Sequence, residues 1–118
     1  MNFNSVMIGS DNPKRLTTYY TKLFGKPAME DGGYSGWKIG DGWITVGPHS
    51  EIKGKNPQPG RIILNVESAD VKADFARLTA AGAKVVREPY RMDDWPANMW
   101  VATLADPDDN YFQLMTPM

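Results

Sequence analysis

Few side chains in this sequence can do covalent or metal chemistry, and their scarcity is informative. Cysteine is absent, and histidine occurs once, at His49. Thiolate catalysis, disulfides and Cys-based metal sites are thereby removed together. One chain also cannot supply a two-histidine metal site. His49 follows Gly47-Pro48 and precedes Ser50-Glu51. It reads either as a lone acid–base residue at a pocket rim or as an exposed loop histidine. No spacing ties it to a nucleophile. The acidic clusters Asp93-Asp94 and Asp106-Asp108-Asp109 lack EF-hand spacing. Nothing sets two of their carboxylates on one cleft, as glycoside hydrolysis requires. Gly32-Gly33 and Gly40-Asp41-Gly42 are turn glycines and form no phosphate cradle.

The chemistry left is recognition. Arg61 opens the run Arg61-Ile62-Ile63-Leu64-Asn65-Val66, whose composition predicts a strand. Arg61, Ile63 and Asn65 share one face, and Ile62, Leu64 and Val66 the other. The second set is more apolar and suits the side under a helix. Arg61 then points inward, where a guanidinium grips a carboxylate or phosphate bidentately. The competing reading is an arginine at a strand start, just after Gly60, reaching solvent. Gln113 shares its face with Met115. It either orients a polar ligand group or bonds a neighbouring strand, or Arg61 itself. Trp37, Trp43, Trp95 and Trp100 are walls for a flat apolar ligand or ordinary core. Trp43 is expected toward the helix. Trp95 and Trp100 are expected toward the pocket, with Asp93–Asn98 as a loop over its mouth.

The elements that position these residues are written twice. Ser5-Val6-Met7-Ile8 reads as a strand. Ser10-Asp11-Asn12-Pro13 supplies cap residues and a proline for a helix start. Leu16, Tyr20 and Leu23 make an i, i+4, i+7 stripe, and Gly25 ends it. Short strands follow around Trp37–Ile39 and Trp43–Val46, joined by Gly40-Asp41-Gly42. A strand near Tyr34 is weakened by the flanking glycines. In the second half, Ser68 and Asp70 stand at a helix start. Val71, Phe75 and Leu78 repeat the stripe, and Gly82 ends it. Strands are expected from Ala83, over Met99–Leu104 and over Tyr111–Met115. The turn before the last strand holds Pro107, which presets φ, and Asp109 and Asn110, which tolerate the left-handed conformation. Residues 53–59, rich in Pro, Gly and Lys, form a linker between units of about 1–52 and 60–118. Each unit alone covers one sheet face with its helix. Two units are expected to set their open faces around a shared cleft.

Bulk properties bound the rest. The chain has 118 residues, the size of a single domain with a real core. Thirteen aromatics and seven Met give it large and adaptable apolar volume. Net charge is −1 and basic residues are scattered, so nucleic-acid binding has no electrostatic support. No stretch approaches the ~20 apolar residues of a membrane span. Met1-Asn2-Phe3-Asn4 has no charged region leading into an apolar one, so no signal peptide is expected, and a cytoplasmic protein fits.

Three segments carry a family resemblance: Tyr19-Tyr20-Thr21-Lys22-Leu23-Phe24-Gly25, the run from Trp100 to Pro107, and Asp106-Pro107-Asp108-Asp109-Asn110-Tyr111-Phe112-Gln113-Leu114. Together with the duplicated unit they resemble the vicinal oxygen chelate superfamily, which holds glyoxalase I, extradiol dioxygenases and bleomycin-resistance proteins. The resemblance implies an α+β fold: two βαβββ units forming a curved mixed sheet around a cleft, helices outside. It places the family's metal positions on Ser5, Thr45, Arg61 and Gln113. Two are weak hydroxyl donors, one offers an amide oxygen, and Arg61 repels a divalent ion. No metal or other cofactor is therefore expected.

The reading that follows is a metal-independent small-molecule binding protein like the bleomycin-resistance branch. Arg61 and Gln113 hold polar ligand groups, with Ser5 and Thr45 beside them. Met7, Trp100, Met115 and Trp95 supply apolar walls. Arg61 favours an anionic or carbonyl-bearing ligand. A glyoxalase-like lyase or a dioxygenase-type metalloenzyme is the alternative, and a regulatory module with a vestigial cleft is a third. A homodimer is implied by the resemblance alone.

Overall fold

Asn12 and Pro13 start the first helix as their types dictate. Helix α1 spans Pro13–Phe24, and the Asn12 side chain accepts a hydrogen bond from the Arg15 backbone N–H at 3.4 Å. One N–H that a helix start leaves open is thus satisfied. Gly25 ends the helix at φ 87°, and its own N–H donates to Thr21 O at 2.9 Å. A positive φ there suits glycine because it has no Cβ to clash. The buried face is Leu16, Tyr19, Tyr20 and Leu23. It is one residue wider than the Leu16–Tyr20–Leu23 stripe, as an apolar face broader than 100° should be. Burying each such side chain stabilises by about 1.5–3 kcal/mol.

The computed structural model describes all 118 residues, Met1–Met118, and they form two compact units, Met1–Lys55 and Asn56–Met118. In the first unit, α1 packs on a sheet of β1 (Ser5–Ser10), β2 (Met29–Asp31), β3 (Tyr34–Ile39) and β4 (Gly42–Pro48). The strand order is β1-β4-β3-β2. β1 runs parallel to β4, and the other neighbours are antiparallel. Ile8 and Val46 pair across the ladder, as do Trp37 and Ile44. All four are buried under α1. The Trp37 indole donates to Gly25 O at 2.9 Å, and its ring lies 5.9 Å from that of Tyr20.

The second unit repeats the order. It has β5 (Ile63–Glu67), α2 (Val71–Ala80), β6 (Lys84–Tyr90), β7 (Val101–Ala105) and β8 (Tyr111–Met115), arranged β5-β8-β7-β6. β5 is parallel to β8 and the rest antiparallel. Asp70 caps α2 by accepting from the Ala73 N–H at 3.0 Å. Val71 and Leu78 of α2, Ala102 and Leu104 of β7, and Phe112 and Leu114 of β8 are buried together. The fold is thus α+β, two βαβββ units, each with a mixed four-stranded sheet that does not close.

Two sequence expectations need correction. β2, three exposed residues, was invisible to periodicity because Met29-Glu30-Asp31 has none. β5 begins at Ile63, not at Arg61, which ends a 3₁₀ turn over Pro59–Arg61. The prolines of Pro57-Gln58-Pro59 cannot donate to a ladder, and the first residue paired with β8 is Ile63, opposite Tyr111.

The β7–β8 hairpin explains its acidic cluster. Asp106 is fully buried. Its Oδ1 accepts from the Asp108 N–H at 2.9 Å and the Asn110 N–H at 3.0 Å. The Asn110 side-chain amide donates to the same carboxylate at 3.0 and 3.2 Å. This is an Asx turn doing the work of a backbone turn. Asp109 takes the left-handed conformation at φ 62°. Asn56 ties the start of the unit to this hairpin, donating from its backbone to Asp108 O at 2.7 Å and from its side chain to Asn110 Oδ1 at 3.2 Å.

Candidate functional site

Residues directly opposite each other across a ladder point to the same face of the sheet. In the second unit, the face away from α2 carries one continuous polar row. Asn65 of β5 lies opposite Gln113 of β8, Gln113 opposite Thr103 of β7, and Thr103 opposite Arg87 of β6. With strands about 4.8 Å apart, the row spans roughly 15 Å. The Gln113 amide nitrogen donates to Asn65 Oδ1 at 2.6 Å. That leaves the Gln113 oxygen as an acceptor and the Asn65 amide as a donor. Thr103 is buried at 8% exposure. The next row is Glu67, Met115, Val101 and Tyr90, largely apolar beside the polar one.

Arg87 reaches this face only because β6 is irregular. Val85 pairs with Leu104, whose side chain is in the core, yet Arg87 pairs with Thr103 on the other face. In a regular strand Val85 and Arg87 would share a face. The pairing shifts between Val85 and Arg87, and again between Arg87 and Tyr90. Such bulges re-aim side chains. The Arg87 guanidinium carbon lies 3.4 Å from the centroid of the Tyr90 ring, a cation–π stack. The Trp95 ring is 5.6 Å beyond Tyr90. Arg87 has no carboxylate partner within ion-pair distance. Its neighbour Lys84 is different: its ammonium donates to Asp109 Oδ1 at 2.8 Å. That hydrogen bond and the Asp109 charge hold Lys84 above the ordinary lysine pKa.

Four residues of this candidate face, Asn65, Thr103, Arg87 and Tyr90, are not among those singled out from the sequence. The alternation of β5 did put Asn65 on the correct face. The Arg87 register had no signal, since bulges scramble the period on which such reading depends.

The residues singled out from sequence fall in several places. Gln113 and Met115 stand on the face of the second sheet away from α2. Gln113 bonds Asn65, not Arg61. Arg61 is exposed, and its Nε donates to Gln58 Oε1 at 2.9 Å. It therefore closes a surface turn. Trp95 sits in the loop after β6 against Tyr90. Trp100 shares the parity of Ala102 and Leu104, and the Lys72 ammonium of α2 lies 3.7 Å from its ring centroid. Trp100 is thus on the helix side, not the open face.

In the first sheet, Ser5 pairs with Trp43 and Met7 with Thr45, all on the face away from α1. Trp43 belongs with Thr45 because they are two residues apart on one strand, which corrects the expectation that it meets the helix. Trp37 does so instead. A side chain at Gly36 would lie 3.2 Å from Met29 Cε, 3.4 Å from Thr45 Cγ2 and 3.6 Å from Trp43 Cε3, so this face is tightly tiled. His49 is exposed on the turn after β4, and its Nδ1 accepts from the Glu51 N–H at 3.2 Å.

A separate groove of about 500 Å³ runs between α1 and the β2–β3 hairpin, lined by Lys14, Thr17, Glu30, Asp31, Tyr34 and Ser35 among others. It is wide open and mixes both charge signs, and it contains neither Ser5, Met7 nor Thr45.

The positions that the resemblance marks for a metal do not fit one. Ser5 and Thr45 offer neutral hydroxyls, Gln113 one amide oxygen, and Arg61 a permanent cation. Hard divalent ions select carboxylates, and zinc selects imidazole or thiolate. No group of three or more His, Cys, Asp or Glu side chains is placed to hold a metal ion. No helix is long and apolar enough to cross a membrane.

The glyoxalase-like domain model matches residues 5–115. No curated protein matches the chain. Solved structures are similar over the whole fold. One is a glyoxalase/bleomycin resistance protein/dioxygenase family enzyme from Burkholderia phytofirmans PsJN, 20% identical, TM-score 0.76, covering 100% of both chains. Another is a glyoxalase/bleomycin resistance protein from Albidiferax ferrireducens T118, 18% identical, TM-score 0.75, covering 98% of each. A third is a glyoxalase-related enzyme from Fulvimarina pelagi, 16% identical, TM-score 0.74, covering 99% of this chain and 88% of that one. At these identities they show the fold.

Proposed function

The chain belongs to the glyoxalase-like domain family, and from that membership we propose that it is a metal-independent small-molecule binding protein whose ligand is anionic or carbonyl-bearing. The observation that carries this reading is the polar row on the face of the second sheet away from α2. Asn65, Gln113 and Thr103 offer an amide donor, an amide acceptor and a hydroxyl in register, beside the apolar Met115 and Val101. That is the usual make-up of a ligand site, mostly apolar surface with a few convergent polar groups.

Family membership brings a metal expectation that the donor set does not support. Gln113 stands where metal-using relatives are expected to carry a carboxylate, and its amide is already engaged by Asn65. Ligand recognition through neutral hydrogen bonds needs no metal. Arg61 donates from Nε to Gln58 Oε1 at the turn before β5.

The test is a thermal-shift screen of small carboxylates, ketones and aldehydes, run in chelator, on wild type, Gln113→Ala and Asn65→Ala. The reading expects saturable stabilisation of the wild type in chelator, weakened in both variants. Stabilisation that appears only with added Zn²⁺, Ni²⁺, Mn²⁺ or Fe²⁺ would instead support the lyase or dioxygenase alternative.

A further inference from the structure

We infer that Arg87 is the anion anchor of this site and that its ligand is an aromatic carboxylate, an inference that rests on the binding-protein reading above. Three observations point the same way. A register shift in β6 brings Arg87 opposite Thr103, although Val85, two residues earlier, pairs with Leu104 of the other face. The guanidinium is stacked 3.4 Å from the Tyr90 centroid and has no carboxylate to neutralise it. The other cation at this end of β6, Lys84, is already paired with Asp109. Arg91, just after β6, is taken up by the Trp95 and Pro96 carbonyls at 2.9 and 3.3 Å, which leaves Arg87 as the cation of this row without a protein acceptor. The carboxylate on the same face, Glu67, sits on β5 at the far edge of the sheet, about three strand spacings, or roughly 14 Å, away.

The geometry also selects the ligand's shape. A guanidinium this close to a ring face keeps its N–H groups at the ring's edge for bidentate capture of a carboxylate. Tyr90 and Trp95, with ring centroids 5.6 Å apart at 39°, offer aromatic surface next to the fork. Val101, at 5% exposure, and half-buried Met115 lie in the adjoining row. From Arg87 to Gln113 is two strand spacings, roughly 10 Å. Strand side chains stand roughly perpendicular to the sheet, so this separation matches one six-membered ring with a polar group at each end. The carboxylate end belongs to Arg87 and the Thr103 hydroxyl. A hydroxyl or carbonyl at the other end belongs to the Gln113–Asn65 amides.

The test is titration calorimetry of 4-hydroxybenzoate, its neutral amide 4-hydroxybenzamide, and hexanoate against wild type, Arg87→Gln, Arg87→Lys and Lys84→Gln. Circular dichroism confirms that each variant is folded. The inference expects saturable binding of 4-hydroxybenzoate, with the amide and hexanoate each weaker by roughly tenfold or more. Arg87→Gln should lose a similar factor. Arg87→Lys keeps the charge without the fork and should fall between. Lys84→Gln should bind as wild type. Equal binding of acid and amide, an unaffected Arg87→Gln, or an equal loss in Lys84→Gln overturns the inference. So does the absence of any 4-hydroxybenzoate binding. If the amide binds and Gln113→Ala abolishes that binding, the binding-protein reading stands and only the Arg87 assignment fails.

Discussion

The Gln113 side-chain nitrogen donates to Asn65 Oδ1 at 2.6 Å, across the parallel pairing of β8 with β5. One amide thus fixes the orientation of the other, and the pair presents one acceptor and one donor outward. The bond lies at an exposed position, so water competes for it. We expect Gln113→Ala and Asn65→Ala each to cost only about 0.5–1 kcal/mol in urea unfolding. Ligand affinity should fall in both, which separates a binding role from a structural one.

Asp106 carries a larger load. Removing its carboxylate leaves the Asp108 and Asn110 N–H groups and the Asn110 side chain without their acceptor in a buried turn. Asp106→Ala should destabilise by about 2–4 kcal/mol. Asp106→Asn keeps one acceptor oxygen and should lose less. Urea midpoints at constant slope would show the order.

The Tyr34 ring lies across Gly47, so that a Cβ at residue 47 would overlap ring carbons. Tyr34 is itself partly exposed at 38% and can swing aside. Gly47→Ala should therefore cost a moderate 1–2 kcal/mol or so. The double variant Tyr34→Ala/Gly47→Ala should be less destabilised than the sum of the singles. Additive losses would show that the ring is not the obstacle.

Lys84 gives a pH signature. Its pKa is raised by the Asp109 hydrogen bond and charge. A raised lysine contributes stability that is fully present below the unfolded lysine pKa of about 10.4 and is lost as pH climbs through the higher folded value. The stability gap between wild type and Lys84→Met should be constant from about pH 7 to 9 and close above about pH 11. A gap that persists unchanged at the higher pH would mean the side chain acts through packing.

Helices and strands on the core side were legible in the sequence because burial imposes a period. Leu16, Tyr20 and Leu23, and Val71 and Leu78, are where that stripe put them, and Tyr111–Met115 is the last strand as read. The candidate site was legible only in part. Gln113 and Met115 follow regular alternation along β8. Arg61 stands outside the ladder because strand onset is set by which residue first finds a partner, and Ile63 finds Tyr111. Arg87 was hidden by bulges, which belong to the pairing of two strands and leave no mark in either alone. Trp100 lies just before β7, where alternation along the strand is not yet set, and the Lys72 contact places its ring beside α2.

The central claim, that this glyoxalase-like chain works without a metal, is tested most directly by elemental analysis of untagged protein. The protein should be incubated with Zn²⁺, Ni²⁺, Mn²⁺ or Fe²⁺ and then desalted. Hydroxyls and an amide, with no imidazole or carboxylate at the positions the family uses, should retain far less than one ion per chain. One tightly held ion per chain would contradict the account and return the protein to the metal-dependent lyases or dioxygenases.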